Sequence, residues 1–170
     1  MVSGNDPSDI NIRSPRFFLA RTAAKCHHCG ESTPLFALAV PPGHEVLELD
    51  PDEQNEDRTA DSWSVAPHSA LLFFINGLPD LLKARIRQFT PSYGLGSREA
   101  TEASYWANQC QHCDSLFDDN ELFCEPGGAF QPLSEVSARR IHLLAIDEKF
   151  EAAAAGYALD PPFFDAMTLD

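Results

Sequence analysis

The sequence predicts an α+β domain organised around a zinc-ribbon-like, four-cysteine metal site with a long insertion. Three observations lead there. Cys-x-x-Cys occurs twice, as Cys26-His27-His28-Cys29 and Cys110-Gln111-His112-Cys113. Short apolar runs of strand length recur between Arg16 and Phe130. Two further stretches, at about 79–89 and 134–155, repeat apolar residues at helical spacing. The expected architecture is antiparallel strands plus those two helices, in a single domain over residues 16–157. A disordered lead-in (1–15) would precede it and an irregular tail (158–170) would follow.

Two residues between cysteines let the backbone turn so that both sulfurs face one point. Zinc takes four ligands, with sulfur at about 2.3 Å, so each pair supplies half a shell. Gly30 follows the first pair, where a tight turn calls for a residue that tolerates positive φ. Asp114 holds the matching place after the second pair, and Asp enters that region more readily than most residues. The expected ligands of one structural Zn2+ are therefore Cys26, Cys29, Cys110 and Cys113. The separation is long: 80 residues lie between Cys29 and Cys110, against about 15–20 in common zinc ribbons. Either a subdomain is inserted between the pairs, or they serve separate sites completed by histidines such as His27, His28 or His112. A shared site requires the Cys29 and Cys110 sulfurs to lie about 3.5–4 Å apart, and a gap above roughly 10 Å would mark independent sites.

Other uses of cysteine fit less well. A thioredoxin-like pair sits at a helix start in a βαβ unit. Here Cys26 follows a polar stretch ending in Lys25, and Cys110 follows an aromatic, strand-like run. Structural disulfides suit secreted chains, whereas the stretch Met1–Ser14 is polar and the cysteine count of 5 is odd. A reducing, cytoplasmic setting is expected. Cys124 is left over, and is expected to be a buried strand cysteine rather than a nucleophile paired with His142.

Taken in order, Arg16–Ala24 reads as a strand entering the first knuckle, and Pro34–Val40 as a buried strand. Pro41–His44 is a turn and Glu45–Leu49 a weaker strand. The segment 50–61 carries Asp50, Asp52, Glu53, Glu56, Asp57 and Asp61, and reads as a solvated acidic loop. It lacks the Gly and terminal Glu of a calcium-binding EF-hand loop. Trp63–Val65 is a short strand, and Ala70–Ile75 is the most apolar run. Asn76-Gly77 breaks that run, and Pro79 suits the first turn of a helix. Leu78, Leu81, Leu82, Ile86 and Phe89 would form its buried stripe, with Lys83, Arg85 and Arg87 on a solvated face. Tyr93–Gly96 is a loop, and Glu102–Asn108 is the strand that delivers the second knuckle. Leu116-Phe117 and Leu122–Cys124 read as short strands around an acidic turn. Ser134 is a good N-cap for the second helix, and Gly156 a good stop. The stripe of that helix would be Val136, Leu143, Ile146, Phe150 and Tyr157. In the tail, Phe163 and Phe164 are candidates for docking.

The formal net charge is −14, with 26 acidic and 12 basic residues. Nucleic-acid affinity rests on Lys and Arg neutralising phosphates, so this balance argues against a nucleic-acid-associated zinc ribbon. It suits a basic protein partner. No apolar run approaches the roughly 20 residues of a membrane helix. No P-loop, His-Glu-x-x-His, Gly-x-Ser-x-Gly or Gly-x-Gly-x-x-Gly is present. Four cysteines close a zinc shell, whereas catalytic zinc keeps a position for water.

Tyr105-Trp106-Ala107-Asn108-Gln109-Cys110-Gln111-His112-Cys113, continued by an acidic turn and Glu125-Pro126-Gly127-Gly128-Ala129-Phe130, resembles a group of small, uncharacterised bacterial zinc-ribbon-like proteins. Cys26–Gly30 with Thr33-Pro34 resembles the N-terminal half of the same pattern. The resemblance covers both pairs and about a third of the chain. It implies a zinc-ribbon-like fold and no particular activity. The expected function is a non-enzymatic, zinc-stabilised module that binds another protein. A narrower alternative is an acidic inhibitor or immunity-type protein covering a basic toxin or nuclease.

Overall fold

The computed structural model describes residues 10–48, 62–96 and 105–170. The acidic loop expected at 50–61, and the lead-in up to residue 9, lie outside the described residues. The strands are β1 (Ile12–Ser14), β2 (Phe17–Lys25), β3 (Ser32–Val40), β4 (Glu45–Glu48), β5 (Ser62–Val65), β6 (Ala70–Gly77), β7 (Tyr93–Gly96), β8 (Tyr105–Asn108), β9 (His142–Ile146), β10 (Phe150–Leu159) and β11 (Thr168–Leu169). Helix α1 spans Asp80–Phe89, and α2 is a single turn over Glu135–Ala138. The strands form one sheet in the order β11-β9-β2-β3-β6-β10-β1-β4-β5. Strand β8 also pairs with β6, and β7 with β8. β11 runs parallel to β9, while pairings such as β2–β3, β6–β10 and β1–β4 are antiparallel.

This architecture corrects the expected fold class. The molecule is dominated by a large mixed sheet and is not a balanced α+β zinc ribbon. The first predicted helix is present as α1, entered from Pro79. Leu82 and Ile86 are buried, while Leu81 faces solvent. The second, expected over 134–155, is the main error. Ser134 does cap a helix through a capping box with Ser137, but that helix ends after one turn and Val136 is exposed. The chain then forms β9 and β10. Alanine has the highest intrinsic helix propensity, yet Ala152 pairs with Ile12 of β1, and Ala153 and Ala154 pair with Gly77 and Ile75 of β6. Tertiary pairing overrides a preference worth only tenths of a kcal/mol per residue. At Gly156 the sheet requires the smallest residue. A Cβ built on Gly156 would stand 2.2 Å from the Phe73 ring, so this glycine permits a close approach rather than stopping a helix.

Smaller departures follow the same logic. Ile12–Ser14, expected in the lead-in, is a strand with Ile12 buried. Tyr93–Gly96, expected as a loop, is β7. Asn120–Cys124 is a π-helical turn, not a strand. In the tail, Met167 is buried and β11 joins the sheet. Phe164 packs its ring 6.3 Å from that of Phe18, whereas Phe163 remains exposed.

The sheet buries both faces, which is why Leu35–Val40 reads as an unbroken apolar run. Phe36, Leu38 and Val40 join one cluster with Leu82 and Ile86 of α1, Trp106 and Phe150. Leu35, Ala37 and Ala39 join a second with Cys26, Cys110, Phe117, Phe123 and Phe130. Each fully buried Leu, Ile or Phe stabilises the fold by about 1.5–3 kcal/mol. The second cluster contains Cys26 and Cys110, so the cysteine group is built into a core.

Candidate metal centre

Both knuckles are tight turns closed by a hydrogen bond across four residues. β2 and β3 pair down to Lys25 and Ser32, so Cys26–Cys29 caps their hairpin. Beyond β8, Gln109 bridges Leu116, so Cys110–Cys113 caps a shorter one. The two tips repeat one set of contacts. Cys26 O accepts from Gly30 N and Cys110 O from Asp114 N, both at 2.9 Å. Cys26 N donates to Glu31 O and Cys110 N to Ser115 O, again at 2.9 Å. The amides of His28 and His112 point at the first sulfur of their own pair, each at 3.4 Å. Gly30 has φ 76° and Asp114 φ 62°, so the conformation read from the sequence at both positions is present.

The tips meet face to face. Cys26 Sγ lies 3.7 Å from Cys113 Sγ, and Cys29 Sγ lies 3.7 Å from Cys110 Sγ. All four sulfurs fall within 4.8 Å of one another. Disulfides, at about 2.05 Å, are excluded, and all five cysteines are free thiols. The edge of a tetrahedron with 2.3 Å bonds is about 3.8 Å. The predicted ligands are therefore together in one group able to hold a metal ion, despite 80 intervening residues. Cys110 and Cys26 are buried, Cys113 is half-buried and Cys29 is exposed. The site sits at the edge of the second core with one ligand toward solvent.

The sulfurs are electrostatically unequal. Ser115, through its hydroxyl and then its backbone amide, holds the Cys113 thiol down at about 6. At Cys29, the backbone hydrogen bond at Glu31 favours the thiolate. Partial desolvation and hydrogen bonding with the other three sulfurs outweigh it and push the thiol up to about 12. Four thiolates so close cannot all ionise alone. A bound cation replaces their protons, so metal uptake releases protons and weakens at low pH.

The histidines are not in the sulfur group. His27 and His28 are exposed, and His112 donates from Nε2 to Ser32 O at 3.1 Å. That contact and the Gln111 N to Thr33 Oγ1 bond (3.1 Å) fasten the second tip to the start of β3. Cys124, expected in a buried strand, is exposed on the π-helical turn. Partial desolvation, then the charges of Asp119, Asp118 and Glu125, raise its pKa, which disfavours the thiolate. His142 instead pairs through Nδ1 with Asp170 at 2.9 Å.

Sequence reading missed the polar groups that hold the second knuckle. Asn108 is fully buried. Its Oδ1 accepts from Phe36 N at 2.8 Å and its Nδ2 donates to Phe36 O at 2.9 Å. The pairing of β3 with β6 runs from Val40 to Leu38 and goes no further toward Phe36, and the Asn108 carboxamide takes the place of a strand there. Asp119 accepts from Phe74 N at 2.9 Å, at a residue with φ 48°. An amide within the aromatic run Tyr105-Trp106-Ala107-Asn108 was the available signal. A search against known protein families, curated proteins and solved structures finds no match to this chain.

Proposed function

We propose that this chain is a non-enzymatic, zinc-binding protein-interaction module whose four cysteines hold one structural Zn2+. The observation that carries the reading is the single group of four sulfurs at tetrahedral spacing. A tetrahedral all-thiolate donor set suits zinc or an iron–sulfur centre. Four cysteines on two Cys-x-x-Cys knuckles form a closed shell of the kind structural zinc takes, which favours zinc. Four protein ligands complete the shell and leave no position for a reacting water, which supports a structural role.

The partner in this reading is a protein with a basic surface, met in the cytoplasm. The net charge of −14 supports it and disfavours nucleic acid. Among the described residues no helix is long and apolar enough to cross a membrane. One observation favours the narrower inhibitor or immunity-type reading. Asp118 and Glu121 line a hollow of about 300 Å³ beside Cys26 and His28, so acidic groups stand directly against the metal-binding tip. Capture with the wild type and with an Asp118→Asn, Glu121→Gln, Glu125→Gln variant tests the charge. A partner retained equally by both would remove the basis for a basic surface.

Native mass spectrometry of protein purified under thiol protection, without added metal, should find one zinc per chain. Cys124→Ser should keep it and Cys110→Ser should lose it. A metal-free or iron-loaded wild type would overturn the zinc assignment.

A further inference from the structure

A groove of about 530 Å³ opens on the sheet face that carries α1, beyond the end of that helix. Its floor is a patch of three adjacent strands. Leu19 of β2 faces Leu144 of β9 across the sheet, and Arg21 is flanked by Phe36 of β3 and His142 of β9. Phe89, at the end of α1, forms one wall, and the second knuckle forms another. The volume lies in the range of small-molecule sites, about 300–1,000 Å³, and an apolar lining with a few convergent polar groups is their usual character.

Arg21 gives the groove its chemistry. It is exposed, and among the described residues its guanidinium takes part in no ion pair or hydrogen bond. Asp170, the carboxylate bonded to its strand neighbour, is engaged at Oδ1 by His142 Nδ1. An unmatched guanidinium beside an apolar floor is notable in a chain of net charge −14. Its planar fork fits a carboxylate with two parallel hydrogen bonds. Asp114 and Asp170 line the same groove. Those two carboxylates repel a dianion such as phosphate about twice as strongly as a monoanion, so the lining favours the smaller charge.

We propose that this groove binds a small organic monocarboxylate with an apolar body. Arg21 takes the carboxylate, and Leu19, Phe36, Leu144 and Phe89 cover the body. The site goes beyond the metal-centred reading and does not depend on which metal the cysteines hold.

The test uses zinc-loaded full-length protein, two-dimensional amide NMR, and a matched probe pair: 4-phenylbutanoate and 4-phenylbutanamide. The carboxylate should shift the amides of Arg21, Phe36 and Leu144 saturably, and the neutral amide should bind at least about tenfold more weakly. Arg21→Gln should abolish that preference while the rest of the spectrum and the zinc content stay unchanged. Arg21→Lys should bind with intermediate strength, keeping the charge but losing the fork. No response to the carboxylate, equal response to both probes, or unaltered binding by Arg21→Gln would each overturn the proposal. Should Arg21→Gln fail to fold, the probe pair on the wild type decides. Zinc content measured on the same samples separates a failed groove from a failed metal site.

Discussion

Asn108 shows how much one side chain can carry. Its carboxamide satisfies both the N–H and the C=O of Phe36, deep in the sheet. A buried backbone group left without a partner costs about 1–3 kcal/mol. Asn108→Ala should therefore destabilise the protein by about 2–5 kcal/mol in urea denaturation. Asn108→Asp should also be costly, because a carboxylate cannot donate to Phe36 O. His44 is a second case. It is fully buried, with Nδ1 2.7 Å from Pro41 O and Nε2 2.6 Å from the Tyr157 hydroxyl. Burial lowers its pKa, against the opposing pull of the Pro41 carbonyl. The unfolded chain then takes up the proton first as pH falls. The stability that His44 contributes is fully present above about 6.5 and is lost as the pH drops below it toward the lowered folded value. The melting-temperature advantage of zinc-loaded wild type over His44→Asn should narrow between neutral pH and pH 5. An advantage that widens on acidification would contradict this.

Among the elements, the knuckles were legible and β10 was not, for one physical reason. A knuckle is specified by neighbours in sequence: two cysteines, their spacing and a residue that accepts positive φ. Strand β10 is specified by β6 and β1, which lie far away along the chain. Its own residues, Phe150-Glu151-Ala152-Ala153-Ala154-Ala155-Gly156, carry a local preference for helix that the sheet overrules. Helix α1 was legible because its apolar spacing and the Pro79 entry are local too. Gly156 was noticed for the wrong reason. The Phe73 ring lies against its Cα and stacks on Phe123 at 5.2 Å, which stacks on Phe130 at 5.0 Å. Adding a methyl at Gly156 must displace Phe73 and disturb that three-ring stack. Gly156→Ala should cost about 1–3 kcal/mol, although alanine is the better residue for a helix. A neutral or stabilising outcome by denaturant titration would refute the close-approach account.

At the scale of the molecule, the sheet separates two cores, and among the described residues only one contains cysteines of the four-sulfur group. Cys26 and Cys110 belong to the cluster with Phe117, Phe123 and Phe130. The α1 cluster, with Trp106 and Phe150, contains none. Chelation should therefore loosen the protein unevenly. Hydrogen exchange after metal removal should accelerate in the tips around residues 26–33 and 110–117 and in the Phe117–Phe130 segment. Amides of α1 and of central β6 should keep most of their protection. Equal loss everywhere would show that the two cores form a single cooperative unit. What the sequence could not convey at this scale was the sheet order, because pairings such as β1 with β10 join residues about as far apart as the chain allows.

The distance along the chain between the two knuckles also has a consequence in time. A ribosome adding about 5–20 residues per second needs roughly 4–16 s to make the 80 residues between Cys29 and Cys110. Throughout that interval the first tip holds two cysteines without the second pair. Strand β6 and helix α1 emerge before the second tip exists. A metal held by all four sulfurs would therefore bind after β6 and α1 have emerged but before Phe150 and the rest of β10, which complete the α1-side core. The nascent first pair is the point at which a wrong metal or an oxidant has the longest opportunity to intervene.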